Sequence, residues 1–270
     1  YVPEKIVNNH HGHWDQKIAI IGGGPAGLSC AYYLASMGYT PTVFEKNEKP
    51  GGMMTYGIPS YKLEKDVIDA EIDVIRALGA EIRCGVEVGR DVTIEQLRAE
   101  GYKAFYVAIG LQAGRKANIP NEEYAQSGVD FLREANKTNS STLLFGKTVV
   151  IGGGNVAIDV ARTALRAGAA EGPKEMPAAK DEIAEAKEEG ISIKNCWGPK
   201  EVLVEEGKIV GIVLKQCVQV YDEKGRFAPV YDENELKTVP CDHVLLSIGQ
   251  AAVWNDLLKG SKVEVRGNGT

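Results

Sequence analysis

The chain has 270 residues, 44% hydrophobic and 25% charged, with 31 Lys and Arg against 37 Asp and Glu for a net charge of −6. That composition excludes disorder, collagen and a small disulfide scaffold, and the length predicts about two domains of roughly 100 to 200 residues each. An acidic balance offers nothing to a phosphate backbone, which excludes nucleic acid as a partner, and the longest uncharged stretch, residues 18–44, is interrupted by Gly22, Gly23, Gly24, Pro25 and Gly27, so no bilayer span of about 20 apolar residues is expected.

Five cysteines, Cys30, Cys84, Cys196, Cys217 and Cys241, are an odd number without a CxxC pair and point to a reducing, cytoplasmic compartment. The first residue is Tyr1, and Gly267-Asn268-Gly269-Thr270 resembles a turn, which suggests a piece of a longer polypeptide. Residues 1–14 read as a linker from a missing N-terminal region. Within it His10, His11 and His13 have no nearby carboxylate or cysteine companion, so no metal site is expected there.

The first structured segment is a β-branched run, Lys17-Ile18-Ala19-Ile20-Ile21, followed by Gly22-Gly23-Gly24-Pro25-Ala26-Gly27 and a helical pattern in which Ala26, Cys30, Tyr33, Leu34 and Met37 form the expected apolar face. Strand, tight turn and helix in that order, answered by Glu45 at the end of a second strand 18 residues after Gly27, form a dinucleotide fingerprint. Gly22 permits the sharp turn, Gly24 lets backbone approach a pyrophosphate, Gly27 lets helix and strand pack closely, and Glu45 is placed for an adenosine ribose. Residues 65–78 have helical spacing, residues 80–86 a short strand, and residues 104–110 a strand closed by Gly110.

A second copy of the pattern starts at Thr148-Val149-Val150-Ile151-Gly152-Gly153-Gly154-Asn155-Val156-Ala157. Asn155 is expected to cap its helix and Asp159 to complement the helix dipole or touch a ligand, while Arg162 is expected to snorkel over the surface. A strand of about five residues should follow Glu171, but Gly172-Pro173-Lys174 leads directly into Glu175-Met176-Pro177-Ala178, so that strand is missing. The charged run 180–189 is expected to be the wet side of a helix, residues 201–221 a hairpin around Glu206-Gly207-Lys208, and residues 222–225 a further turn. Residues 243–249 read as a last buried strand, with His243 as an edge residue. Cys196 and Cys217 are too far apart in sequence for a CxxC redox site.

The stretch Glu45-Lys46-Asn47-Glu48-Lys49-Pro50-Gly51-Gly52-Met53-Met54-Thr55-Tyr56-Gly57-Ile58-Pro59 resembles the NAD(P)H-dependent flavoproteins of the glutamate synthase small subunit family, as do Val88-Gly89-Arg90-Asp91, Ala108-Ile109-Gly110, Gly152 to Asp159 and Ile248-Gly249-Gln250. The resemblance covers residues 18–249. It implies an FAD site at Gly22, Gly24, Pro25, Ala26, Gly27, Glu45, Lys46, Gly51, Gly52, Met53, Met54, Ile58, Val88, Ala108, Ile109 and Gly110. It implies a site for NADPH or NADH at Gly152, Gly153, Gly154, Asn155, Val156, Asp159, Ile248 and Gly249. Two family parts are not found, an N-terminal cysteine-rich iron–sulfur domain and a C-terminal Gly-Asp segment. Iron–sulfur clusters are therefore expected only in missing regions or in partners.

The expected architecture is α/β, two nested Rossmann-like dinucleotide-binding domains with parallel central sheets and β-hairpin crossover layers. The FAD domain is expected at 15–145 with 247–270 and the NAD(P)H domain at 146–246. The expected activity is hydride transfer from NAD(P)H to FAD, the two rings meeting within about 3 to 3.5 Å without a catalytic side chain. The same resemblance implies that electrons then pass to an iron–sulfur subunit or domain of a hetero-oligomeric complex, with electron-bifurcating complexes among those it includes. The alternative is a nucleotide-binding scaffold without turnover.

Overall fold

The computed structural model describes residues 12–138, 144–167 and 179–266. The chain forms two compact units, the first running to Gln112 and resuming at Ala251, the second spanning Ala113–Gln250. One unit is thus inserted into the other in sequence. No helix among the described residues is long and apolar enough to cross a membrane.

The first unit is built on four parallel strands in the order β3-β2-β1-β4: β1 (Lys17–Ile21), β2 (Thr42–Glu45), β3 (Glu81–Cys84) and β4 (Tyr102–Val107). Strand alternation explains its two cores. Ile20 and Val43 face helices α1 (Pro25–Ser36) and α3 (Lys65–Ala77), packing with Leu28, Ile68, Ile72 and Ile75. Ala19, Ile21 and Phe44 face the other way, onto Val88, Leu97, Tyr102 and Leu257. Leu97 is carried by helix α4 (Ile94–Ala99), which opens with a reciprocal capping box: the Gln96 N–H donates to Thr93 Oγ1 and the Thr93 N–H to Gln96 Oε1.

The expected apolar face of α1 is displaced. Ala26, Tyr33 and Met37 are exposed, Tyr33 by 66% and Met37 by 60%, and the buried residues are Gly27, Leu28, Ala31 and Ala35. Small side chains let the helix axis approach the sheet, so close packing overrides side-chain hydrophobicity. Near the start of the chain His13 Nε2 lies 3.5 Å from Asp15 Oδ1, so the histidine does have a carboxylate beside it, contrary to expectation. His10 and His11 lie outside the described residues.

The second unit is layered. It opens with the two-residue strand β5 (Ala113–Gly114) and closes with β12 (Gln250–Ala251), the last residue of which belongs to the first unit. Its central sheet is parallel, in the order β6-β11-β7, from β6 (Gln126–Ser127), β7 (Thr148–Ile151) and β11 (His243–Leu246). One face carries α5 (Gly128–Lys137) and α6 (Asn155–Arg166) through Phe131, Leu132, Val150, Val160 and Leu245. The other face packs Val149, Ile151, Val244 and Leu246 on Val202, Ile212 and Leu214 of an antiparallel sheet of β8 (Trp197–Glu205), β9 (Lys208–Tyr221) and β10 (Phe227–Pro240). The β8–β9 turn uses Glu206 and Gly207 at φ values of 49° and 76°, the mirror-image turn that matches strand twist. His243 begins the central strand of the parallel sheet rather than lying on an edge strand, and its Nε2 is 3.0 Å from the Phe145 carbonyl.

Between α6 and β8 the described residues contain no strand; they contain α7 (Lys180–Glu188), while the position after Glu171 where a strand was expected lies outside them. The α7 charges are not all wet. Arg162, expected to snorkel, is 7% exposed and is held by the Glu185 carboxylate and by two hydrogen bonds of 2.9 and 2.6 Å to Glu189 Oε1. Arg166 adds 2.8 Å contacts to both Glu189 oxygens. Burial alone would raise the Glu189 carboxyl, but the Arg162 and Arg166 guanidinium groups outweigh it and hold it below its ordinary value of 4.5. A depressed carboxylate stabilises the fold above its unfolded pKa and loses that contribution as pH falls through the folded one. The wild type should therefore lose urea stability below about pH 4.5 more steeply than Arg162→Ala, whose loss at pH 7 should be about 1–3 kcal/mol because both glutamates keep access to water. Equal stabilities at pH 7 would remove the clamp.

Candidate nucleotide-binding turns

The first turn is set by a collision that only glycine avoids. β1 and β4 lie side by side, the Ala108 N–H donates to Ile21 O at 2.7 Å, and the Ala108 carbonyl stands 2.3 Å from where a Cβ on Gly22 would be. Gly22 also has φ +108°, a region that L side chains rarely adopt. A Cβ on Gly27 would fall 1.9 Å from Gly22 O, so the third glycine is required by the packing of α1 on the turn. Gly24 differs: it has extended backbone with φ −80°, and a Cβ there would meet only Gly52 Cα, at 3.8 Å. The chain itself has no need of a glycine at that position. Gly24 lines a cleft together with Gly22, Pro25 and Ala26 at the start of α1, where helical N–H groups favour an anion.

Glu45 closes one side of this cleft. It is 3% exposed, its Oε2 accepts from Gly23 N at 2.7 Å, and its Oε1 accepts from Asn47 N at 2.8 Å and Asn47 Nδ2 at 2.6 Å. These three donors stabilise the buried carboxylate and still leave lone pairs for a ribose hydroxyl. Lys46, Gly52, Met53, Val88, Ala108, Ile109 and Gly110 continue the lining.

The remaining residues of the implied FAD set support the cleft from behind. Gly51 donates to Gly23 O at 2.7 Å, which presses the Gly51-Gly52 pair onto the first turn. Met54 packs against the Ile68 and Ile72 core, and Ile58 offers its carbonyl to Lys65 Nζ, which also reaches Met54 O at 2.8 Å. Burial lowers the Lys65 pKa from its ordinary value. Gly27, Gly51, Met54 and Ile58 thus lie outside the lining. Phe44, Val86, Glu87, Gln112, Val253, Trp254 and Leu257 line the cleft without having been anticipated. Phe44 was signalled by its place beside Glu45, but the C-terminal three carry no spacing that relates them to the glycine turn.

The second turn repeats the geometry. Ser247 donates to Ile151 O at 2.6 Å, and Ser247 O stands 2.3 Å from where a Gly152 Cβ would be, with Gly152 at φ +145°. Gly154 again has extended backbone and nothing within 4 Å of a Cβ. The third position holds Ala157, 1% exposed, so this turn leaves room for a methyl group. Ile248 is partly buried in the apolar layer around Val202 and Ile212, and Gly249 O accepts from Arg115 N at 3.0 Å; both follow Ser247 in sequence, and the contact with Gly152 is made by Ser247.

Two expectations for α6 need correction. Asn155 is the first helical residue and not the cap, which is Gly154; the Asn155 Oδ1 instead accepts from Ala179 N at 3.1 Å, across to the start of α7. Asp159 is 8% exposed and lies beyond the first turn, too far along to complement the helix dipole. Val156, the second residue of α6, is partly buried against the Phe131 cluster.

Both turns fit a pyrophosphate: each keeps a glycine with no internal reason for it at the opening of a helix. The family model of the pyridine nucleotide-disulphide oxidoreductases matches residues 16–270. The chain belongs to this family. The beta subunit of the NADP(+)-dependent formate dehydrogenase of Moorella thermoacetica is 40% identical over 94% of this chain and 37% of its own length. The small chain of the NADPH glutamate synthase of Halomonas elongata is 35% identical over 87% of this chain and 53% of its own, which bears out the resemblance noted above. The chain therefore spans roughly a third to half of these relatives. Mycobacterium tuberculosis FprA in complex with NADPH superposes with a TM-score of 0.75 at 21% identity, over 89% of this chain and 72% of that one, a likeness of fold alone.

The turn geometry separates two kinds of glycine. Gly22→Ala and Gly152→Ala should destabilise the protein by about 2 kcal/mol or more, because a backbone carbonyl blocks the new methyl and the φ is strained. Gly24→Ala and Gly154→Ala should leave the denaturation midpoint within about 0.5 kcal/mol. Chemical denaturation of the four variants checks this ordering.

Proposed function

We propose that this chain is the electron-entry part of a larger NAD(P)H oxidoreductase, with FAD at the first turn and NADPH or NADH at the second. The reading rests on Gly24 and Gly154, two turn positions where space is kept free for a ligand. Family membership and the NADP in the printed names of the relatives support it. FAD bound at the first turn would supply the means of taking two electrons as hydride and releasing them one at a time.

The residues of this chain bind and orient. The α1 N-terminus neutralises diphosphate charge, Glu45 accepts from a ribose, and Gly52 and Met53 lie beside the turn, where backbone and a polarizable side chain can meet a flat ring. Val88, Ile109 and Trp254 exclude water from the same cleft. No side chain needs to move a proton for hydride transfer, so no catalytic residue is assigned. An iron–sulfur subunit or domain is the proposed acceptor, since both relatives are subunits by name, and a hetero-oligomeric complex in the cytoplasm is the proposed setting.

The purified protein should be yellow, and anaerobic NADPH or NADH should bleach its flavin band near about 450 nm. Gly24→Ala should lower the flavin content. Gly154→Ala should keep the flavin but raise the KM for the reduced pyridine nucleotide about tenfold. A colourless protein that takes up no FAD overturns the proposal, and a flavin-loaded protein that neither nucleotide bleaches leaves the scaffold reading.

A further inference from the structure

Cys196 and Cys217 are 217 − 196 = 21 residues apart in the sequence but stand opposite one another in the second unit. β8 and β9 pair antiparallel with Trp197 opposite Gln216, so the next rung joins Cys196 to Cys217, and the Cys217 N–H donates to the Cys196 carbonyl at 2.7 Å. Directly opposed residues of an antiparallel pair have Cα atoms about 4.5–5.5 Å apart, and the backbone hydrogen bond holds Cys196, one residue before β8, at this position. That separation falls inside the window of about 4.4–6.8 Å that a disulfide bridges. Cys196 reaches the rung with φ 62°, at the junction between the α7 segment and β8. Cys217 occupies the middle strand, with Tyr231 of β10 on its other side.

Neither cysteine is in a disulfide and both are only partly buried, as a thiol must be to meet a reagent; the Cys217 Sγ donates to the Gln219 carbonyl at 3.1 Å, a contact that exchange would have to give up. The others are set apart. Cys241 is 4% exposed and its thiol is pushed up to about 11, by burial first and then by Asp242, while Cys30 and Cys84 are raised by burial and belong to the first unit.

We propose that Cys196 and Cys217 form a reversible dithiol–disulfide couple in the antiparallel sheet of the second unit, exchanging with low-molecular-weight disulfides of the glutathione type. One cysteine thiolate attacks the small disulfide, forms a mixed disulfide and releases one thiolate. The second cysteine, deprotonated, attacks the protein-bound sulfur, forms the Cys196–Cys217 bond and releases the other thiolate. The protein gives up two electrons and two protons, and the small disulfide becomes two thiols. The bond pins the α7–β8 junction to β9. Partial exposure leaves it open to reduction by the reverse exchange.

The test uses the full chain, reduced, freed of reductant and incubated anaerobically with glutathione disulfide. The intact mass should fall by two hydrogens, and a non-reduced tryptic digest should contain peptide 195–200 joined to peptide 216–224, with dithiothreitol separating them. Cys196→Ser and Cys217→Ser should each retain a glutathione adduct on the remaining cysteine and show no loss of two hydrogens. Stable glutathione adducts at both positions of the wild type without the crosslink, no reaction at either, or a crosslink through Cys30, Cys84 or Cys241 would each overturn the assignment.

Discussion

In both units a carbonyl at the end of a neighbouring parallel strand occupies the space that a side chain would need at the first position of the turn. Ala108 O does this at Gly22 and Ser247 O at Gly152, each at 2.3 Å from the hypothetical Cβ. The neighbours are backbone atoms, held by strand-end hydrogen bonds of 2.7 and 2.6 Å, so no rotamer change relieves the contact. Parallel pairing of β1 with β4, and of β7 with β11, thereby fixes where each chain must turn and where each helix begins. Two residues further on, at Gly24 and Gly154, the backbone is extended and a Cβ would meet one atom at 3.8 Å or none within 4 Å, where the helix begins.

The two units resolve a buried charge in different ways. Glu45 is satisfied by hydrogen-bond donors, accepting from two backbone N–H groups and the Asn47 amide. It also ties Gly23 and Asn47 to the end of β2, so the residue proposed to hold a ribose is locked before any ligand arrives. Arg162 has long-range partners, carboxylates 23 and 27 residues away on and just beyond α7. Burying a guanidinium costs several kcal/mol, which the pairs offset without a large surplus. Their contribution is mainly to choose which carboxylates α6 meets.

Sequence patterns revealed β1 to β4, β7, the β8–β9 hairpin, β11 and the glycine turns, because these depend on contacts local in sequence or on period-two alternation; β10 and the two-residue strands β5, β6 and β12 were not anticipated. The α1 face was misread because apolar character was counted and volume was not: Tyr33 and Met37 are hydrophobic but too large for a helix lying on a sheet, where Gly27, Ala31 and Ala35 fit. Arg162 was misread because its partners, Glu185 and Glu189, lie 23 and 27 residues further along the sequence. Trp254 and Leu257 reach the first cleft only after the chain has passed through the second unit, and Cys196 meets Cys217 only once β8 and β9 have paired in register. Each of these depends on a long-range pairing that no short window records.

The helix α6 shows how polar contacts and packing divide the labour in the second unit. Ala157, Ile158, Val160 and Ala164 are all buried, so this helix is covered on more than one side. Against α5 and the sheet the cover is a full apolar cluster around Phe131. Against α7 the apolar contact is small, centred on Ile158, Ala186 and Ile191, too little to fix an orientation on its own. Ion pairs at the far end of α6 and the Asn155 to Ala179 hydrogen bond at its start hold α7 at two points. Because Asn155 directly follows Gly154, the placement of α7 is coupled to the turn itself, and the same side chain that anchors α7 adjoins the turn glycine proposed to meet the nucleotide.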